Sequence, residues 1–275
     1  MTSTRSLPFV RFDIPAGGQA WIPADLSLRV PTASSLEPHS LHYLIYIPWD
    51  EKYLAFIEKD YRDFFLAVLP YLHSRSTDVH VATCLPFVKE LIEADHEPVD
   101  ERVVYPAFIL HDSGWSQMTE LEIASSLGVQ GLALSGEAVA PKLRHVQLGK
   151  EIAQQVLEQN PINPPLTPAQ KDIIFQAILY HDKPQELADL GHIPASVRVV
   201  CDVDHLWSFT HENFWQDTVR KGVEPPAYLV NLQNDLDGYF VAEPGKRRAR
   251  MLLEERRAEV DAWQEWVARH KTSGA

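Results

Sequence analysis

Residues 105 to 115, YPAFILHDSGW, carry an apolar run to its end in two adjacent titratable side chains, His111 and Asp112. An imidazole and a carboxylate at the end of a buried segment need partners, because burying them unpaired costs several kcal/mol. A helix buries positions three and four apart, so the apolar stripe shows which polar groups point inward. Val104, Ala107 and Phe108 form such a stripe, and His111 takes its next position, with Asp112 about a third of a turn further round. Ile174, Ala177 and Ile178 lead in the same way to His181, and Val197, Val200 and Cys201 lead to Asp204. His145 opens a stripe that runs through Leu148, Gly149, Ile152, Ala153 and Val156, and His80 opens one through Cys84, Phe87 and Leu91. Six ionisable residues on five helices are therefore expected to face one interior.

Four histidines and two aspartates in one interior find few backbone partners, since those groups already serve the helices. A divalent metal removes the difficulty. Imidazole and carboxylate suit Mn, Fe, Co, Ni or Zn, and the chain has only two cysteines, too few for a thiolate zinc site. His111 and Asp112 can both reach one ion, or the Asp112 carboxylate can bridge two. Cys84 and Cys201, far apart in sequence, read as reduced core residues.

The order of these residues, a first His, a His-Asp doublet and a later Asp, all on helices, resembles the HD superfamily of metal-dependent phosphohydrolases. FILHDSG resembles that family's apolar run, doublet and small-residue turn, and CDVDHL resembles the stretch around its last Asp. RHVQLGKEIAQQVL and AILYHDKP resemble the two intervening helices, which in many members supply further histidines. The resemblance covers residues 76 to 210 and implies an all-α, HD-type helical bundle with the metal site among its helices. It also implies hydrolysis of a small phosphate ester or nucleotide through a metal-bound hydroxide. On this reading His80, His111, Asp112 and Asp204 hold a first ion, Asp112 is the catalytic carboxylate, and His145 and His181 hold a second ion or the substrate's phosphate.

A smaller branch of the same superfamily, the mixed-valent diiron oxygenases that cleave C–C or C–P bonds of small polar substrates, uses the same four His and two Asp. Some of its members place a tyrosine before the first His. Tyr71 stands nine residues upstream here, without the expected flanking pattern. Arg144 and Lys183 flank two of the histidines and are expected either to bind a substrate phosphate or to remain surface charges. Glu120 and Glu122 either assist proton transfer or lie on a solvated helix, and Asp182, off its stripe, is expected to face outward.

The elements that must position these residues are mostly helices. Three- and four-residue periodicity starts near residue 50, and helical stretches are expected at 77–95, 100–112, 140–159, 168–182, 194–208, 209–221, 225–238 and 245–269. Thr167 before Pro168 supplies a cap and a first-turn proline. Residues 1–48, rich in Pro, Gly and Ser, read as an irregular arm with one or two short strands, and 49–270 as the helical domain. The arm is expected to pack on the bundle, cover the pocket or form a homodimer contact. With 25 basic against 38 acidic residues, a net charge of −13 argues against nucleic acid polymers and anionic membranes, but leaves a small anionic substrate open. The start lacks a signal-peptide core and no stretch reaches the roughly 20 apolar residues of a membrane span, so a cytoplasmic location is expected.

Overall fold

The computed structural model describes residues 9–13, 19–23, 46–47, 49, 51–129, 139–188 and 191–271. The chain folds as an all-α bundle. Its helices are α1 (Lys59–Val68), α2 (Thr77–Ala94), α3 (Glu101–Leu110), α4 (Glu120–Ser126), α5 (Val139–Gln159) and α6 (Pro168–Tyr180). They continue with α7 (Pro184–Ala188), α8 (Ala195–Leu206), α9 (His211–Lys221), α10 (Pro225–Tyr239) and α11 (Glu243–Lys271). Among the described residues no helix is long and apolar enough to cross a membrane.

At the centre α8 packs against α2, α3 and α6, α3 packs against α6, and α5 lies along α6. Their facing stripes, among them Val104, Phe108, Ile174, Ile178, Val197 and Val200, are fully buried. Cys84 and Cys201 are free thiols in this core. The stripe of α11 runs through Leu252, Leu253, Val260, Trp263 and Val267, so this strongly charged helix packs through one buried face.

Two of the central helices start at one linked cap. The Asp100 carboxylate accepts the Arg102 backbone N–H at 3.0 Å to begin α3, and Thr167 and Gln170 form a reciprocal capping box to begin α6. Gln170 Nε2 then donates to Asp100 Oδ2 at 2.7 Å. The starts of α3 and α6 are thereby tied together, so their far ends also meet.

The described part of the arm carries two short strands, as expected from its sequence. Phe9–Asp13 and Gln19–Pro23 form an antiparallel pair in which Val10 faces Ile22 and Phe12 faces Ala20. The second strand lies along α9, and the buried Phe9 ring stands 5.6 Å from Trp215 and 5.9 Å from Trp266. The described part of the arm thus packs on the helical body. The apolar alternation in residues 41–48 lies largely outside the described residues.

Candidate metal centre

Helices α3 and α6 end alike. His111 is the residue after α3 and His181 the residue after α6, and each turns Nδ1 back to the carbonyl three residues earlier, Phe108 at 2.6 Å and Ile178 at 2.9 Å. A carbonyl can only accept, so Nδ1 carries a proton, and Nε2, the nitrogen left bare when the ring is neutral, is directed into the bundle. Neighbouring aromatic rings fix the imidazole planes. Phe108 stacks on His111 at 4.8 Å, Trp207 on His80 at 4.9 Å and Trp115 on His145 at 4.1 Å.

Asp112 sits at the centre. Its Oδ2 lies 3.6 Å from His80 Nδ1 and 3.6 Å from His111 Nε2, while Oδ1 lies 3.4 Å from both His145 Nε2 and His181 Nε2. Asp204 Oδ1 closes the first group, 3.3 Å from His111 Nε2 and 3.4 Å from His80 Nε2. The six residues thus gather as two groups, His80, His111, Asp112 and Asp204 on one side and Asp112, His145 and His181 on the other, with ligand atoms of each group within 4.8 Å of one another. The Asp112 carboxylate presents one oxygen to each group. Trp115 Nε1–H donates to Oδ1 at 2.9 Å and Arg75 to Oδ2 at 3.1 Å, which holds the carboxylate plane.

A glycine lets the two halves approach. The doublet turns into a short 3-10 segment, Ser113–Gln117, against which the first half of α5 packs. A Cβ on Gly114 would lie 1.9 Å from the His145 carbonyl oxygen. Only glycine allows the backbone of His145 to come this close to the doublet.

The protonation states suit cation binding. Burial pushes the Asp112 carboxyl up, but His111, Arg75 and the bonds to His145 and His181 outweigh it and hold it well below the usual carboxylate range. Asp204 is lowered in the same way, burial being overcome by His111, His181 and His80. His80 and His145 are pushed down by burial and so favour the neutral ligating form. His181 behaves differently. Burial lowers it, yet Asp182 and Asp112 raise it further, to about 9.

Two buried nitrogens, Nε2 of His80 and Nε2 of His111, lack a hydrogen-bond partner although Asp204 Oδ1 lies 3.4 and 3.3 Å from them. Imidazole nitrogens and anionic oxygens that converge with so few donors among them are an unfavourable arrangement that a cation relieves. The buried His/Asp group can hold a metal ion.

Above the cluster lies a cavity of about 200 Å³ whose lining includes Arg75, Trp115, Lys142, Asp204, Arg220 and Tyr239. Asp182, expected to face outward, borders this cavity and is only 29% exposed, with Oδ2 3.8 Å from His145 Nε2 and 3.9 Å from His181 Nε2. It stands in the turn after α6, where helical stripe geometry no longer applies.

The flanking cations do not reach this cavity. Arg144 is exposed and pairs with Glu122 at 2.7 Å, because one step along α5 from His145 rotates a side chain by about 100°. Lys183 is half-buried and pairs with Glu186 at 3.0 Å. Glu122 completes a capping box with Thr119 at the start of α4, so it caps a helix rather than moving a proton in the cluster.

The cation on the cluster is Arg75, which the periodicity does not single out. It and Ser76 adopt left-handed backbone angles, φ +59° and φ +58°, in the turn before α2, and its guanidinium also lies 4.8 Å over the Trp115 ring. Two consecutive non-glycine residues in this region cost of order 1 kcal/mol each and are held only where the surroundings require them. Comparison of the chain with protein-family models, curated proteins and solved structures finds no match.

Proposed function

We propose that the protein is a metal-dependent hydrolase of small phosphate esters, of the HD type its motifs resemble, with two ions sharing the Asp112 carboxylate. The observation that supports this most is the position of Asp112, one oxygen toward His80, His111 and Asp204 and the other toward His145 and His181. Divalent cations held there would supply Lewis acidity to a phosphoryl oxygen and lower the pKa of an attacking water. The chain's own residues would do the remaining work. His111 and His181 would present Nε2 atoms to the ions, their rings fixed by the Nδ1 backbone bonds, and Trp115, Trp207 and Phe108 keep the imidazoles in plane. Arg75, already on Asp112 Oδ2 and facing the cavity, can give a charge-assisted hydrogen bond to a phosphoryl oxygen. Lys142 on the same cavity adds positive charge where the transferring group would lie.

One observation favours a second reading. Asp112, His145 and His181 make a group of two imidazoles and one carboxylate, a donor set that also suits non-haem iron. A diiron oxygenase would use the same six residues. Phosphate release from a panel of small esters, measured with Mn, Co, Ni, Mg or Fe added, separates the two. Metal-dependent release that His111→Ala and Asp112→Ala abolish supports the hydrolase. Oxygen uptake by an iron-loaded protein without phosphate release from any ester would replace it with the oxygenase.

A further inference from the structure

The far wall of the cavity above the cluster is built around a buried arginine with no part in holding metal. Arg220, in the last turn of α9, is only 4% exposed yet lines the cavity. Its Nε–H donates to Asp217, one Nη2 hydrogen to Asn213 Oδ1 and one Nη1 hydrogen to Gln216 Oε1 at 3.4 Å. A guanidinium has five N–H donors, so one hydrogen on each Nη is left for a further acceptor. Lys221 Nζ stands 2.8 Å from the same Asp217, so two cations share one carboxylate and the wall keeps a surplus positive charge. In a chain of net charge −13 this surplus is local and faces a cavity.

Both poles border one space. Arg75, Lys142, Asp182 and Asp204 line the same cavity of about 200 Å³ as Asp217, Arg220 and Lys221. That is smaller than the roughly 300–1,000 Å³ of sites for drug-sized ligands. A neighbouring cavity of about 480 Å³, beyond His205 and Tyr239, has Asp182 and Asp235 but no lysine or arginine in its lining among the described residues. A third, of about 250 Å³, has Lys142 and Lys183, both partly or fully exposed, whereas Arg220 is buried against the cavity over the cluster.

We propose that Arg220, supported by Lys221, is a second oxyanion anchor, and that the ligand is a small molecule anionic at both ends, with a phosphate over the His-Asp cluster and a carboxylate or second phosphate on Arg220. The phosphate end rests on the hydrolase reading above, whereas the Arg220 end rests on the cavity wall alone.

The test is calorimetric binding to the full-length protein in excess Mn²⁺, comparing ethyl phosphate with phosphoglycolate, with a two-carbon bisphosphate and with malonate. A buried charge-assisted pair gives a two-ended ligand an advantage of at least about tenfold over ethyl phosphate. In Arg220→Gln that ratio falls to near one, and Arg220→Lys restores part of it. Whether phosphoglycolate or the bisphosphate gains more decides which oxyanion the anchor takes. The proposal is overturned if wild type shows no advantage, or if Arg220→Gln leaves the ratio as it was. Should Arg220→Gln fail to fold, Lys221→Gln must shrink the ratio, and an unchanged ratio rejects the anchor. Phosphate release from esters without any such ratio keeps the hydrolase and rejects the anchor. Arg220-dependent malonate binding without phosphate release from any ester does the reverse.

Discussion

Gly114→Ala is the smallest change that tests how the two halves of the centre are held together. The added methyl would start 1.9 Å from the His145 carbonyl oxygen and 2.6 Å from the Gly149 backbone nitrogen, both on α5. Reaching an ordinary contact near 3.4 Å requires a separation of about 1.5 Å between α5 and the doublet turn. Neither partner is a side-chain tip that can rotate away, so backbone must move. Ligand constellations work within about 0.5 Å, and a displacement of about 1 Å can cost a hundredfold. His145 should therefore withdraw from Asp112 Oδ1, and affinity for the ion beside His145 and His181 should fall at least about tenfold. Overpacking adds about 1–3 kcal/mol of destabilisation, a fall of several degrees in Tm for a chain of this size. The assay is metal titration followed by thermal unfolding, with Gly149→Ala as the internal comparison. There the nearest atom is a side-chain methyl of Ile178 at 3.3 Å, and alanine regains about 1 kcal/mol of helix propensity, so little net change is expected. Gly114→Ala with wild-type metal content and Tm would refute the close-approach argument.

Arg75→Gly should separate stability from function. It relieves a left-handed residue by about 1 kcal/mol while removing the guanidinium from Asp112, so unfolding should stay near wild type while KM for a phosphate ester rises about tenfold or more; loss of stability with unchanged KM would count against a substrate role. In the metal-free protein His181 is raised to about 9 from its ordinary value near 6.5, so its protonated form contributes stability that is full below about pH 6.5 and lost as pH rises through 9. An ion at His145 and His181 must displace that proton, so its affinity should climb by up to about tenfold per pH unit between 6.5 and 9, whereas a flat metal titration over that range would remove His181 as a ligand.

The residues of the His/Asp cluster were legible because a polar side chain that must face a helical interior has to continue an apolar stripe, as His111 continues Phe108 and Asp204 continues Cys201. The helix limits followed the same periodicity closely, with α5 at Val139–Gln159 against an expected 140–159 and α3 shorter by a residue or two at each end. Periodicity says nothing once the helix stops. Asp182 stands in a turn and Arg75 in a left-handed pair, so neither has a stripe to belong to, although both reach the cluster. Arg144 and Lys183 mislead for the complementary reason, since a neighbour in sequence on or just past a helix is aimed elsewhere. Arg220 was hidden because it lines the cavity only through the tertiary placement of α9, which local pattern does not encode. The short α4 carries a legible signal, the Thr119/Glu122 capping box, that its few apolar residues do not reinforce.

Metal content per chain tests the central claim most directly, measured on protein purified without chelators and then dialysed against excess Mn²⁺ or Fe²⁺, in wild type and Asp112→Ala. Sharing of the Asp112 carboxylate predicts about two transition-metal ions per wild-type chain and loss of both in the variant. A wild-type chain that takes up no metal, or an Asp112→Ala chain that keeps its full complement, would contradict it.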